Sequence, residues 1–261
     1  MPYQHIAVEY RDRIGVLRLN RPDKLNAINV PVLEEMQAGV KEIAAKSKVL
    51  VLTGSGRAFC SGAALDEGAT TEARERRDLG SILETHINPL MNSLRDLPIP
   101  WVSAVRGAAA GAGASLALAG DLVIAAEGAF FLQAFARVGL VPDAGSTYLL
   151  ARTIGRARTM ELMLLAERLP AAKALEWGLI NRVVPDDSLE SEALRVAGQL
   201  ALGPSVALGL IRKAVWSAVE GPWTEALDVE RRFQTIAGRT QDLEEGIAAF
   251  NQKRTPVFVG G

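Results

Sequence analysis

Asp143 stands in the run Val-Pro-Asp-Ala-Gly and is the carboxylate whose neighbours best suit proton transfer. Val138, Leu140, Val141 and Pro142 precede it. An apolar setting raises a carboxyl pKa toward neutrality, where a general base works well. An Asp followed by Ala-Gly-Ser-Thr also suits a helix N-cap, and from the residues alone both roles stay open. Two stretches of small residues could act beside it. One is Ala58-Phe59-Cys60-Ser61-Gly62-Ala63-Ala64-Leu65; the other opens at Gly107 and sets Gly111 and Gly113 among alanines. Backbone without bulky side chains at a helix start exposes N–H groups, which bind anions or developing negative charge. For one such loop, tight packing is the simpler reading. Two loops, each following a strand, would bring two N–H groups to the C-terminal edge of a sheet, where α/β ligands bind. That arrangement describes an oxyanion site with one acid/base.

Other chemistries are poorly served. Ser115, Ser61 and Cys60 are candidate nucleophiles, but a serine needs a base oriented by a third group. The two histidines, His5 and His86, fall outside the small-residue loops, and Gly113-Ala114-Ser115 lacks the Gly-x-Ser-x-Gly elbow. No His/Cys pairs occur at ligand spacing, so no metal site is expected. Gly54-Ser55-Gly56 and Gly111-Ala112-Gly113 lack the third glycine of a dinucleotide fingerprint, and no Walker motif occurs.

The elements that must position these groups read as α/β. At 261 residues, 49% hydrophobic and 23% charged, the chain suits one large domain with a buried core. A net charge of −1 gives no general field for nucleic acid or anionic membrane. Asp121 and Glu127 interrupt the most apolar region before it reaches the roughly 18 residues of a membrane span. The N-terminal residues lack a signal-peptide layout, and a lone Cys60 fits a reducing compartment, so a cytoplasmic location is expected. Alternation predicts strands at Ile6 to Tyr10 and Ile14 to Leu19; apolar spacing predicts a helix from Pro31 to Ala45. Val49 to Thr53, Trp101 to Val105, Leu122 to Ala126 and Ile180 to Val184 read as further strands, the first a continuous run typical of a buried parallel sheet. Leu79 to Leu97, Ser146 to Ile154, Ala157 to Ala166 and Pro170 to Glu176 read as helices. Charged Asp66 to Asp78 reads as a flap or solvated helix. From Leu189 onward nearly everything is helical (Leu189–Leu202, Ser205–Val219, Trp223–Ala237 and Asp242–Asn251), so residues 1–195 are expected to form the core and 196–261 a helical region that packs on the core or another subunit.

These residues carry a family resemblance. Asn20-Arg21-Pro22…Leu25-Asn26-Ala27, Gly56-Arg57-Ala58-Phe59-Cys60-Ser61-Gly62-Ala63, Gly107 to Asp121, and Ala249-Phe250…Lys253-Arg254-Thr255-Pro256 resemble the enoyl-CoA hydratase/isomerase, or crotonase, superfamily over essentially the whole chain. The resemblance implies a crotonase-like spiral of ββα units with a C-terminal helical trimerisation region, assembled as a trimer or dimer of trimers. It also implies an acyl-CoA thioester substrate, with no permanently bound cofactor. Carried over by position, the oxyanion N–H groups fall on Ala63 and Ala112. Contacts to coenzyme A fall on Lys24, Leu25, Ala27, Ala63 and Leu65, with Phe250 and Lys253 brought to a neighbouring subunit's ligand. The hydratases' two catalytic glutamates fall on Ser115 and Phe135, neither of which can activate water, and both are expected in the substrate pocket, Phe135 as part of an apolar wall. Asp143, with Ala109 to Ala114 and Ala134 to Leu140, is most like the ring-1,2-epoxyphenylacetyl-CoA isomerases of phenylacetate degradation. The implied reaction converts the epoxide to oxepin-CoA. A Δ3,Δ2-enoyl-CoA isomerase is the alternative. Less favoured are a hydratase, a thioester dehalogenase using Asp143 as nucleophile with His86, and a non-catalytic binding member, on RNA for instance.

Overall fold

Asn29 accepts a hydrogen bond from the Val32 N–H and starts the first helix, whose Val32, Leu33, Met36, Val40 and Ile43 are buried at helical spacing. That helix, α1 (Val30–Lys46), joins β2 (Ile14–Leu19) to β3 (Val49–Gly54), while β1 (Ile6–Arg11) pairs antiparallel with β2. The computed structural model describes residues 3–64 and 78–261. The expected flap, residues 66–78, lies outside the described residues except for Asp78, and Leu65 lies outside them too.

The main sheet has six strands in the order β1-β2-β3-β4-β6-β9, with β4 Trp101–Val105, β6 Leu122–Ala126 and β9 Arg182–Val184. All pairs after β1–β2 are parallel; Val51 lies opposite Val16 on one side and Val102 on the other. Residues of β3 are buried throughout because the sheet is covered on both faces, which explains its unbroken apolar run. A second sheet, which the sequence does not announce, runs β5-β7-β8 (Ala108–Ala110, Phe130–Leu132, Arg168–Pro170). Its strands are three residues long, too short for a period to show.

Between the strands, α2 comprises Gly80–Ile82, a π-helical turn Leu83–Ile87, and Asn88–Arg95. The short α3 (Ala112–Leu118) is buried along its whole length. Next, α4 (Ser146–Leu165) is broken by non-helical Gly155, between the two helices expected there. After α5 (Ala171–Glu176) come α6 (Leu189–Ala201), α7 (Ser205–Glu220), α8 (Trp223–Ala237) and α9 (Gln241–Gln252).

The expected core boundary at residues 195/196 falls inside α6. This helix packs on β2, β3, β4 and β6 through buried Leu189, Ala193, Val196, Ala197 and Ala201, so the separate helical region begins at α7. Arg212 pins α7 to the core. Its side chain is buried, pairs with Asp121, and donates to the carbonyls of Leu94 and Leu97. Asp121 also accepts the Trp101 N–H at 2.8 Å, so the pair is satisfied from several sides.

Candidate active site

The first small-residue loop is held open by Asn26. This residue is buried, donates from Nδ2 to the carbonyls of Ser55 and Ala58, and accepts the Arg21 N–H. Leu25 and Asn26 both take left-handed backbone (φ 50° and 56°), which turns the chain so that the Leu25 carbonyl accepts the Ser61 N–H at 3.0 Å. Ile28 then pairs with Ala63 in a parallel bridge: Ile28 N–H reaches the Gly62 carbonyl and Ala64 N–H reaches the Ile28 carbonyl, each at 2.8 Å. Strand alternation therefore turns the Ala63 N–H to the opposite side. It makes no hydrogen bond among the described residues.

The second loop lies directly on the first. Cys60 pairs with Ala109, and the Ala110 N–H donates to the Cys60 carbonyl at 2.9 Å. A Cβ on Gly62 would sit 2.8 Å from the Ala110 carbonyl oxygen and 3.6 Å from the Gly111 Cα. On Gly113 it would sit 2.5 Å from the Cys60 carbonyl. Only glycine allows these approaches. Ala63 and Ala112 each follow one of the touching glycines, Gly62 and Gly111. Ala112 is the first residue of α3, where an N–H has no partner within the helix, and its N–H makes no hydrogen bond among the described residues.

Both alanines line a cavity of about 500 Å³, and so does Asp143. Asp143 is fixed through its backbone: its carbonyl accepts the Ser146 N–H at 3.0 Å and the Ser115 hydroxyl at 3.1 Å. The next two residues, Ala144 and Gly145, are left-handed (φ 50° and 78°), a conformation that costs energy at a non-glycine. Gly145 occupies the N-cap position of α4 and no side chain caps it, so the N-cap reading of Asp143 does not hold. Its Oδ1 is buried without a hydrogen-bond partner among the described residues. Burial alone pushes the carboxyl up to about 6. Among the described residues, the other carboxylate in the lining, Asp78, is exposed and accepts the N–H groups of Gly80 and Ser81.

Two expected pocket residues are placed elsewhere. Ser115 is fully buried behind Asp143 and acts on its backbone, while Phe135 packs near Gly111; neither is in the cavity lining. The apolar wall is made instead by Leu33, Ile82, Leu83, Leu90, Leu140 and Val141. Lys24, Leu25 and Ala27 lead into Ile28 and Asn29, which do line the cavity, without lining it themselves. Phe250, 84% exposed on α9, and Lys253, at its C-cap, lie outside the lining.

His86, which the sequence offers only as the helper of a thioester dehalogenase, is a cavity residue. It lines the cavity from the π-helical turn, with Nδ1 2.7 Å from the Thr85 hydroxyl, which itself donates to the Ser81 carbonyl. The signal was available: Leu83, His86, Ile87 and Leu90 form one stripe at helical spacing. A π turn inserts a residue into such a stripe and widens the face turned to the cavity.

Residues 9–261 match the family model described as enoyl-CoA hydratase/isomerase. A 1,2-epoxyphenylacetyl-CoA isomerase of Escherichia coli is 45% identical, over 95% of each chain. A Rhodobacter capsulatus protein named "Probable enoyl-CoA hydratase" is 42% identical over 100% of each. The crystal structure of an enoyl-CoA hydratase from Bacillus anthracis superposes with a TM-score of 0.91 at 34% identity, covering 99% of this chain and 100% of that one.

Proposed function

The chain belongs to the enoyl-CoA hydratase/isomerase family, and within it we propose an acyl-CoA thioester isomerase in which Asp143 is the single acid/base. The observation that carries this reading is the Asp143 carboxyl itself: half-buried, with Oδ1 fully covered and unpartnered among the described residues, raised to about 6, and sharing one cavity with Ala63 and Ala112. A group titrating there is ionised at neutral pH yet basic enough to take a proton.

In the reaction Asp143 removes a proton from the carbon alpha to the thioester carbonyl. The electron pair moves onto the carbonyl oxygen as an enolate, held by the Ala63 and Ala112 N–H groups. Reprotonation by the same carboxyl at another carbon completes the isomerisation. One such N–H donor contributes about 2.7–4 kcal/mol to the transition state. With a ring epoxide, the collapsing enolate opens the strained ring system toward an oxepin; with a Δ3-enoyl group, the proton moves from C2 to C4. The 45% identity to the E. coli isomerase supports the first substrate. Against hydration stand Ser115 and Phe135, which fill the family's glutamate positions and lie outside the lining. Coenzyme A would run from the Lys24–Ala27 turn. The exposed apolar residues of the helical region, Trp223 and Phe250 among them, support assembly with further copies.

His86 in the cavity wall favours a second reading, in which Asp143 attacks a halogenated aroyl thioester as nucleophile and His86 serves the later water step. A panel separates these: 1,2-epoxyphenylacetyl-CoA, a Δ3-enoyl-CoA, crotonyl-CoA and a 4-halobenzoyl-CoA, followed for isomerisation, water addition and halide release. Isomerisation without the other two products is expected. Appreciable hydration of crotonyl-CoA would overturn the single-aspartate assignment, and halide release would favour the second reading.

A further inference from the structure

A second chamber of about 170 Å³ adjoins the cavity. The two share Met91 and Ala144 as walls, and Ala144 directly follows Asp143. The chamber lies between α2, the start of α4 and α7, so residues from three elements close it: Asn92 and Arg95, Tyr148 and Leu149, Trp216 and Glu220. Met91 is the flexible part of the partition, since an unbranched side chain with three rotatable bonds yields to a neighbour at little cost.

The far end of the chamber is aromatic and polar together. Tyr148 stacks on Trp216 with ring centroids 6.4 Å apart, and the Arg95 guanidinium lies 5.6 Å from the Trp216 centroid. Arg95 Nη2 is committed to Glu220 at 2.6 Å, which balances the charge there. The Arg95 Nε is buried without a hydrogen-bond partner among the described residues, and the Tyr148 hydroxyl, although within reach of the Glu220 carboxylate, makes no hydrogen bond of good geometry there. Buried polar groups are ordinarily satisfied, and an orphaned donor beside an empty apolar space is a place for a ligand oxygen. Within the lining the Arg95–Glu220 pair is neutral, and Arg152, 4.4 Å from the Tyr148 ring centroid, is exposed and screened by solvent, so a neutral oxygen fits better than a carboxylate.

We infer that this chamber is a distal subsite for the acyl group, receiving chains that pass Met91 and carry a neutral oxygen such as a hydroxyl at the far end. This rests on the acyl-thioester reading of the main cavity. It extends the substrate class from compact aryl groups to long acyl groups bearing a distal hydroxyl.

The test uses binding rather than turnover. Saturated acyl-CoA thioesters from C4 to C12, with ω-hydroxylated partners for the longer ones, offer no double bond to move; their Kd values are measured by calorimetry. Affinity is expected to rise at least tenfold once the chain reaches past Met91, and the ω-hydroxyl should add at least threefold. Asn92→Trp, on the outer wall, should erase the gain with length while butanoyl-CoA binds as before. Tyr148→Phe should erase only the hydroxyl's advantage. Equal affinity along the series, or an Asn92→Trp variant whose length dependence is unchanged, would overturn the subsite. Failure of butanoyl-CoA itself to bind would instead bring down the acyl-thioester reading on which it stands.

Discussion

Replacing Asp143 with asparagine should stabilise the protein while abolishing its chemistry. The carboxyl is raised from its ordinary 3.8 to about 6 by burial, so the folded state holds the ionised form at a disadvantage. Each tenfold change in proton affinity is worth about 1.4 kcal/mol, which makes the full penalty about 3 kcal/mol at neutral pH. Asp143 is only partly buried, and solvent screening reduces this to about 1–2 kcal/mol. The direction follows from the raised value: stability is fully present below about pH 4, falls as pH rises through 6, and is constant above. Asparagine mimics the protonated acid in shape and lacks the titration. Asp143→Asn should therefore unfold at a temperature about 2–4 °C higher than the parent at pH 7.5, with the two curves merging near pH 4. Thermal unfolding by circular dichroism across that range reads the gap; isomerisation should fall by about 10²- to 10⁴-fold, the contribution of a general base. In the parent, kcat/KM should rise through an acidic limb near pH 6 and then level off. A lower melting temperature for the variant at pH 7.5, or a gap that persists at pH 4, would refute the argument that burial alone perturbs this carboxyl. Active sites commonly carry such a cost.

Two further substitutions probe the parts that hold Asp143 to its task. Ala112→Pro removes one N–H at the first helical position, where proline is tolerated, so the fold should persist while kcat drops about 10²- to 10³-fold; steady-state kinetics beside an unchanged circular dichroism spectrum checks it. Arg212→Ala strips the partner from buried Asp121 and leaves two carbonyls unserved, at a cost of about 3–5 kcal/mol visible as a lower urea midpoint.

Much of the frame was legible from residue order. The strand β2 alternates, β3, β4 and β6 are mostly apolar runs of five or six residues bounded by turn residues, and helices as long as α1 or α7 show their period over several turns. The second sheet was not legible, because three-residue strands carry no period and are held by pairing with distant chain. The core boundary was misplaced for a related reason: α6 has the composition of the helices after it, and only its contact with the sheet marks it as core.

The sequence by itself determined that two small-residue loops and one carboxylate in an apolar run were the parts worth watching, since glycine spacing and local hydropathy are local properties. Tertiary structure decided what those parts do. It stacked Gly62 on Gly111, which sets Ala63 and Ala112 on the wall of one cavity with N–H groups that make no hydrogen bond among the described residues. It turned the Asp143 side chain away from the helix start it could have capped and buried one of its oxygens without a partner. It withdrew Ser115 and Phe135 from the pocket where position alone would put them, and set the stripe that carries His86 against the cavity through a π turn. Burial and close approach depend on what folds over a residue, and Asp143 shares its cavity with α2 and with loops far back in the chain.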